Sequence, residues 1–278
     1  MGFRLGNVDG RAVLVEGGGV FDLERVSEGR LGPGARAAIA GHAVLHEVAS
    51  GLAGQQPERA LADVTFGPPQ PDPWQVFAIG LNYRGHAAET GKALPEAPLV
   101  FTKFPGCLTG PVATVEMASD TTDYEAELVV VIGDTVRNVA AADAWNVVAG
   151  LTIGQDLSDR ELQNAGERPQ FSLAKSHDGY GPTGPLIVSP DLLDDPDALD
   201  VRCLVNGEQR QSDTTHNLIF TVPVLVEYLS RMMTLHAGDL IFTGTPEGVG
   251  LATGNYLRSG DVVHTTIAGL GELTTTLH

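Results

Sequence analysis

The segment Asp123-Tyr124-Glu125-Ala126-Glu127 runs directly into the apolar stretch Leu128-Val129-Val130-Val131-Ile132. Residues two apart in a strand point to the same face, so Glu125 and Glu127 are predicted to sit side by side as the strand begins. Two like charges that close repel unless one is protonated or a cation bridges them. Taken alone, the pair reads equally well as a solvated strand edge. A third acid follows a second apolar run: Val148 to Ile153 reads as a buried strand, and Gln155-Asp156-Leu157-Ser158-Asp159-Arg160 comes directly after it. An Asp at such an exit often caps the next helix, but Ser158 or Asp159 can serve as that cap and leave Asp156 free. Three carboxylates with no Cys or His beside them make an oxygen-only set. That suits a hard cation: Mg²⁺ first, then Mn²⁺, then Ca²⁺.

Other residues have types that could act on a substrate held there. His86 and Glu89 are three apart, neighbours on one helical turn, so the carboxylate can orient the imidazole and raise its basicity. Lys175 is a point charge on a long stem, fit to stabilise an oxyanion or a carboxylate. Thr245 lies in a loop after an expected strand and offers a hydroxyl and neighbouring backbone N–H groups to an anion. Gln163 falls seven residues after Asp156, two helical turns on, and could hold water or a substrate oxygen. Each of these, read singly, is as readily a surface residue or an empty turn.

The elements that must position them are short and β-rich. Residues 1–67 read as a small α/β unit of their own: β-like runs at Arg11 to Glu16 and Val20 to Leu23 around Gly17-Gly18-Gly19, then a helix over Ala35 to Leu52. Residues 68–75 form a Pro-rich connector that can continue neither a helix nor a central strand. Beyond it, residues 76–278 carry strands at 76–79, 99–102, 127–132, 151–153, 186–188, 201–205, 240–243 and 262–267. The clearest helix runs from Val222 to Leu235, with shorter helical candidates at 141–149 and 159–165. Strands outnumber helices without regular alternation, which predicts an α+β fold over a doubly wound sheet.

Composition narrows the function. There are 17 Lys plus Arg against 35 Asp plus Glu, a formal charge of −18, so no nucleic-acid partner is expected. The longest purely apolar run is five residues, Leu128 to Ile132, far short of the ~20 that a membrane helix needs. The first twenty residues carry no signal-peptide apolar core, and two cysteines are too few for a disulfide framework. A soluble, cytoplasmic protein with no membrane partner is the expectation. The sequence holds no Walker loop, no GxSxG elbow, no HExxH and no GxGxxG after a strand, so nucleotide and serine-hydrolase chemistries lack their usual marks.

A series of blocks in order resembles the fumarylacetoacetate hydrolase family. These are Gly80-Leu81-Asn82-Tyr83, His86-Ala87-Ala88-Glu89, Phe101-Thr102-Lys103 and Asp123-Tyr124-Glu125-Ala126-Glu127. They continue with Gln155-Asp156-Leu157-Ser158, Arg160 and Gln163, Lys175, Gly181-Pro182-Thr183-Gly184-Pro185, Val205-Asn206-Gly207-Glu208, and Gly244-Thr245-Pro246-Glu247-Gly248. The resemblance spans about residues 76 to 278. It implies a layered β-rich catalytic fold, usually a homodimer, and Mg²⁺ or Mn²⁺ held by Glu125, Glu127 and Asp156. It implies a small anionic 2-oxo or 2,4-dioxo acid as substrate, with His86 as general base, Glu89 orienting it or holding water, and Lys175 completing the machinery. Tyr83, Arg84, Lys103, Arg160 and His177 are its candidates for the distal end of the substrate. Gln155, Asp159 and His177 stand where the family commonly has other residues. The expected reaction is hydrolysis of a C–C bond in an acylpyruvate-type acid through an enolate that the cation stabilises. An isomerase or decarboxylase on the same site comes next, and a non-catalytic metal-binding scaffold is the rival of another class.

Overall fold

The computed structural model describes residues 2–278. Its strands are β1 (Arg4–Val8), β2 (Arg11–Glu16), β3 (Gly19–Asp22), β4 (Arg59–Ala60), β5 (Val76–Gly80), β6 (Leu99–Thr102), β7 (Leu108–Thr109), β8 (Val112–Val115) and β9 (Thr122–Asp123). They continue as β10 (Ala126–Ile132), β11 (Val148–Gln155), β12 (Ser158–Asp159), β13 (Gly181–Val188), β14 (Asp200–Val205), β15 (Glu208–Thr214), β16 (Leu240–Phe242), β17 (Val262–Ile267) and β18 (Gly271–Leu277). Between them lie the helices α1 (Leu23–Val26), α2 (Ala35–Ala40), α3 (His42–Ser50), α4 (Arg84–Glu89), α5 (Arg160–Gln163), α6 (Phe171–Ala174), α7 (Val222–Met232) and α8 (Gly250–Thr253). The fold is α+β, with β-rich layers. A long mixed sheet runs β4-β3-β2-β1-β13-β11-β10-β16-β5-β6, and a second sheet runs β15-β14-β17-β18-β8. Their facing sides share one core in which Leu128, Val130 and Ile153 meet Val201, Val263 and Leu273.

The N-terminal residues do not form the separate unit that the proline run suggests. β1 pairs antiparallel with β13, Arg4 opposite Val188 and Leu5 opposite Ile187, so β1 to β4 extend the central sheet. Leu5, Leu14, Phe21 and Leu45 pack in one cluster with Val129, Val131 and Phe242 from beyond the connector. The connector itself carries neither helix nor strand, and buried Gln70 within it donates to the Gly238 carbonyl.

Local differences have local causes. The helix expected over 35–52 breaks at Gly41, where a Cβ would lie 2.5 Å from Leu31 Cδ2. Leu23 opens α1 instead of closing a strand, because Asp22 caps that helix through the Arg25 N–H. Residues 141–147 form 3₁₀ turns, and the chain is already strand from Val148. α5 starts at Arg160 with Asp159 as its cap, accepting from the Leu162 N–H at 3.1 Å, which leaves Asp156 uncommitted to capping. No helix among the described residues is long and apolar enough to cross a membrane.

Strand directions explain where chemistry gathers. β10 is antiparallel to β11 and to β16, and β16 is parallel to β5. The beginning of β10 and the ends of β11, β16 and β5 therefore open at one rim of the sheet. That rim carries Glu125 and Glu127, Asp156, the Gly244-Thr245 loop, and the segment leading to His86.

Candidate active site

Backbone pairing at the rim fixes the three acids. The Asp156 N–H donates to the Glu125 carbonyl at 2.9 Å, locking the two segments together one residue beyond the Ala126–Gln155 pair. Gln155 accepts from the Glu125 N–H at 2.9 Å and donates to Thr265 Oγ1 at 2.7 Å, tying this corner to the second sheet. One ligand oxygen from each of Glu125, Glu127 and Asp156 lies within 4.8 Å of the others, and all three side chains are buried.

Three cations answer these acids. Lys175 Nζ donates to Glu125 Oε2 and Asp156 Oδ2, both at 2.6 Å. Arg160 donates from Nη2 to Glu125 Oε1 at 2.5 Å and from Nε to Asp123 Oδ2 at 2.8 Å. Lys103, wholly buried, donates to Asp156 Oδ1 at 2.7 Å and to the Lys175 and Tyr180 carbonyls. Glu127 is left with a neutral donor, the Gly244 N–H at 2.8 Å. Burial alone would raise the Glu125 carboxyl, but Lys175 and Arg160 outweigh it and hold that group far below the usual carboxylate range. Burial pushes Glu127 well above that range, and the neighbouring Asp156 and Glu125 charges push it further. A carboxyl under that pressure, beside two carboxylates in an oxygen-only set, fits a hard divalent cation, because the ion's charge removes the reason for holding a proton there.

Across the cavity, His86 Nδ1 meets Glu89 Oε1 at 2.6 Å on one turn of α4, and Glu89 Oε2 accepts from the Gly248 N–H at 2.9 Å. The dyad is thus pinned to the loop that follows β16. That loop needs its glycines: Gly244 has φ +101° with a Cβ position 2.8 Å from Asn82 Cβ, and Gly248 has φ +102° with one 2.1 Å from the Arg210 carbonyl oxygen. Asn82 closes the arrangement, donating to the Thr243 carbonyl at 2.7 Å just ahead of α4.

A cavity of about 40 Å³ brings together His86, Glu125, Glu127, Gln163, Lys175 and Thr245. Arg160 also lines it. Thr245 is less available than expected: its hydroxyl donates to the Ala126 carbonyl at 2.9 Å and accepts from Gln211 Nε2 at 2.9 Å. Gln163 accepts from Arg160 Nη1 at 2.8 Å.

Four expected distal contacts are corrected. Lys103 is sealed behind Asp156, where it supports the acid. Tyr83 is buried outside the cavity lining, its hydroxyl without a hydrogen-bond partner among the described residues. Arg84 is exposed and outside the lining, and His177 turns away to Asp159 Oδ2 at 3.2 Å. Sequence reasoning missed Gln211, buried on β15, which joins the Ala126 N–H to Thr245 and the Pro246 carbonyl. Nothing in its polar strand GluGlnArgGlnSerAspThr marks that one glutamine as internal.

A sequence model of the family described as fumarylacetoacetate (FAA) hydrolase, C-terminal, matches residues 75–278. The chain belongs to this family. Among its relatives, the oxaloacetate tautomerase YisK of Bacillus subtilis (strain 168) is 42% identical over 222 residues, 77% of this chain and 73% of that protein. The 5-carboxymethyl-2-hydroxymuconate delta-isomerase from Mycobacterium smegmatis superposes with a TM-score of 0.77 at 33% identity, covering 100% of this chain and 98% of the other. The maleylpyruvate hydrolase from Sphingobium sp. SYK-6, solved in complex with manganese(II) ion and pyruvate, gives a TM-score of 0.82 at 28% identity over 99% and 98% of the two chains. These family members are named for a tautomerisation, an isomerisation and a hydrolysis. All three names describe work on oxo acids or their enols.

Proposed function

We propose that this protein is a divalent-metal-dependent enzyme that forms the enolate of a small 2-oxo acid and reprotonates it, a keto–enol tautomerase or isomerase. The observation that carries this reading is the placement of His86, backed by Glu89, on the wall of the same cavity that Glu125 and Glu127 of the acidic triad line. Mg²⁺ or Mn²⁺, held by those three acids, would supply the positive charge that stabilises a developing enolate. The chain's own residues do the rest. Glu89 at Nδ1 favours the tautomer that leaves the other ring nitrogen of His86 as the base, and it stabilises the imidazolium once the proton has moved. Gly248 holds Glu89 in that orientation. Arg160 and Lys175 keep Glu125 ionised, and Lys103 and Lys175 hold the two oxygens of Asp156 in place.

Hydrolysis of a C–C bond in an acylpyruvate-type acid is the second reading, favoured by the same dyad, which is equally suited to take a proton from water. Two buried free cysteines suit the reducing cytoplasm, and a homodimer belongs to the same proposal. The test offers enol oxaloacetate and an acylpyruvate to the Mg²⁺- or Mn²⁺-loaded protein, with ketonisation followed by absorbance and cleavage by product. Accelerated ketonisation without acylpyruvate cleavage supports the first reading. Cleavage at a comparable kcat/KM replaces it with the second, and neither activity removes both.

A further inference from the structure

The charges around the cavity leave one cation unexplained. Asp123, Glu125, Glu127 and Asp156 face Lys103, Arg160 and Lys175, four carboxylates to three cations. A bound divalent ion turns that deficit of one positive charge into a surplus of one, which the carboxylate of a 2-oxo acid cancels. A second carboxylate on the substrate then finds no spare cation on the cavity floor.

The wall supplies one. Lys92 lines the cavity, is exposed, and makes no ion pair among the described residues, whereas Arg160 and Lys175 are each bound by carboxylates and His86 by Glu89. Its position is set by the element that carries the dyad. The Lys92 N–H donates to the Ala87 carbonyl at 3.0 Å, directly after Gly91 turns the chain with φ +66°. Lys92 is therefore anchored to the end of α4 and stays near His86. Of the remaining lining, Leu99, Phe101 and Phe171 offer a carboxylate no donor, Thr90 and Thr245 spend their hydroxyls on backbone carbonyls, and Gln163 is neutral. We propose that Lys92 binds the second carboxylate of a dicarboxylic 2-oxo acid and selects such substrates over monocarboxylic ones. This rests on the reading that the 2-oxo-acid end sits at the acidic triad.

The experiment compares oxaloacetate with 2-oxobutyrate, which has a methyl group in place of the distal carboxylate. Binding of each, freshly dissolved, to the Mg²⁺-loaded protein is measured by calorimetry. The wild type should bind oxaloacetate more tightly. Lys92→Met should weaken oxaloacetate by roughly ten- to a hundredfold and 2-oxobutyrate by less than about threefold, while Lys92→Arg should retain most of the preference. Equal weakening of both ligands by Lys92→Met, or an undiminished preference in that variant, overturns the assignment. Failure of the enolisation reading shows itself separately: the preference and its loss in Lys92→Met persist, upholding the role of Lys92, while no proton at C3 of either ligand exchanges with solvent.

Discussion

Replacing Glu127 by Gln should have opposite effects on the metal-free fold and on the metal. In the folded chain Glu127 is the acid of the triad without a cation partner, its recorded donor being the Gly244 N–H. A Gln in the same place still offers an oxygen to that donor and removes a charge that burial, Asp156 and Glu125 all oppose. The metal-free variant should therefore match the wild type or exceed it by about 1 kcal/mol. The ion, however, loses one of its three carboxylates. For the wild type, metal at a hundred times its Kd adds about 2.7 kcal/mol, which raises Tm by roughly 5 °C in a chain of this length. Glu127→Gln should lose most of that rise at the same metal concentration. The assay is thermal unfolding of both proteins in chelator and across a Mg²⁺ and a Mn²⁺ series. A variant destabilised by about 3 kcal/mol or more in chelator would mean that Glu127 is ionised and paired, and an unchanged metal-induced rise would mean that it is no ligand.

Lys103→Met should cost about 3–5 kcal/mol in a denaturant titration, since it leaves buried Asp156 with Lys175 alone, a cation shared with Glu125, and removes the donor to the Lys175 carbonyl; a loss below about 1 kcal/mol would refute the support role. His86→Ala should lower kcat by roughly 10² to 10⁴ and Glu89→Gln by less, with Mn²⁺ affinity by calorimetry unchanged in both, because neither side chain belongs to the triad. Burial pushes the Cys203 thiol from 9.0 up to about 12. Between those values the unfolded chain loses a proton that the folded chain keeps, so this group makes stability fall as pH rises above about 9. Cys203→Ala should flatten that alkaline decline in unfolding curves, and the native wild type should show no thiol reactive toward a disulfide reagent at pH 8 until unfolded.

What the sequence made legible was chemistry placed against the grain of its surroundings. Glu125 and Glu127 lead directly into one apolar run and Asp156 follows another, and the spacing of two between the glutamates places them on one face before any partner is known. His86 and Glu89 were readable because both lie on a single helical turn. Lys103 was not, since what defines it is contact with Asp156, Lys175 and Tyr180, 53 to 77 positions away. Gln211 was hidden for the same reason. β15 and β18 escaped notice because their inward positions include Gln211 and Thr275, so apolar alternation is interrupted where a polar side chain is buried. The proline run at 68–75 does interrupt regular structure, yet the pairing of β1 with β13 across more than 180 residues joins what it divides. Lys92 has no local signature at all; its meaning depends on every other cation at the cavity being taken.

The most direct test of enolate formation at the acidic triad is exchange of the C3 protons of a non-cleavable 2-oxo acid, pyruvate or 2-oxobutyrate, with D₂O, followed by proton NMR. The site described here predicts enzyme-dependent exchange with Mg²⁺ or Mn²⁺, abolished by chelator and by Glu127→Gln, and slowed by roughly 10² or more in His86→Ala. Exchange that persists in chelator, or that never exceeds the metal-ion blank, would contradict it.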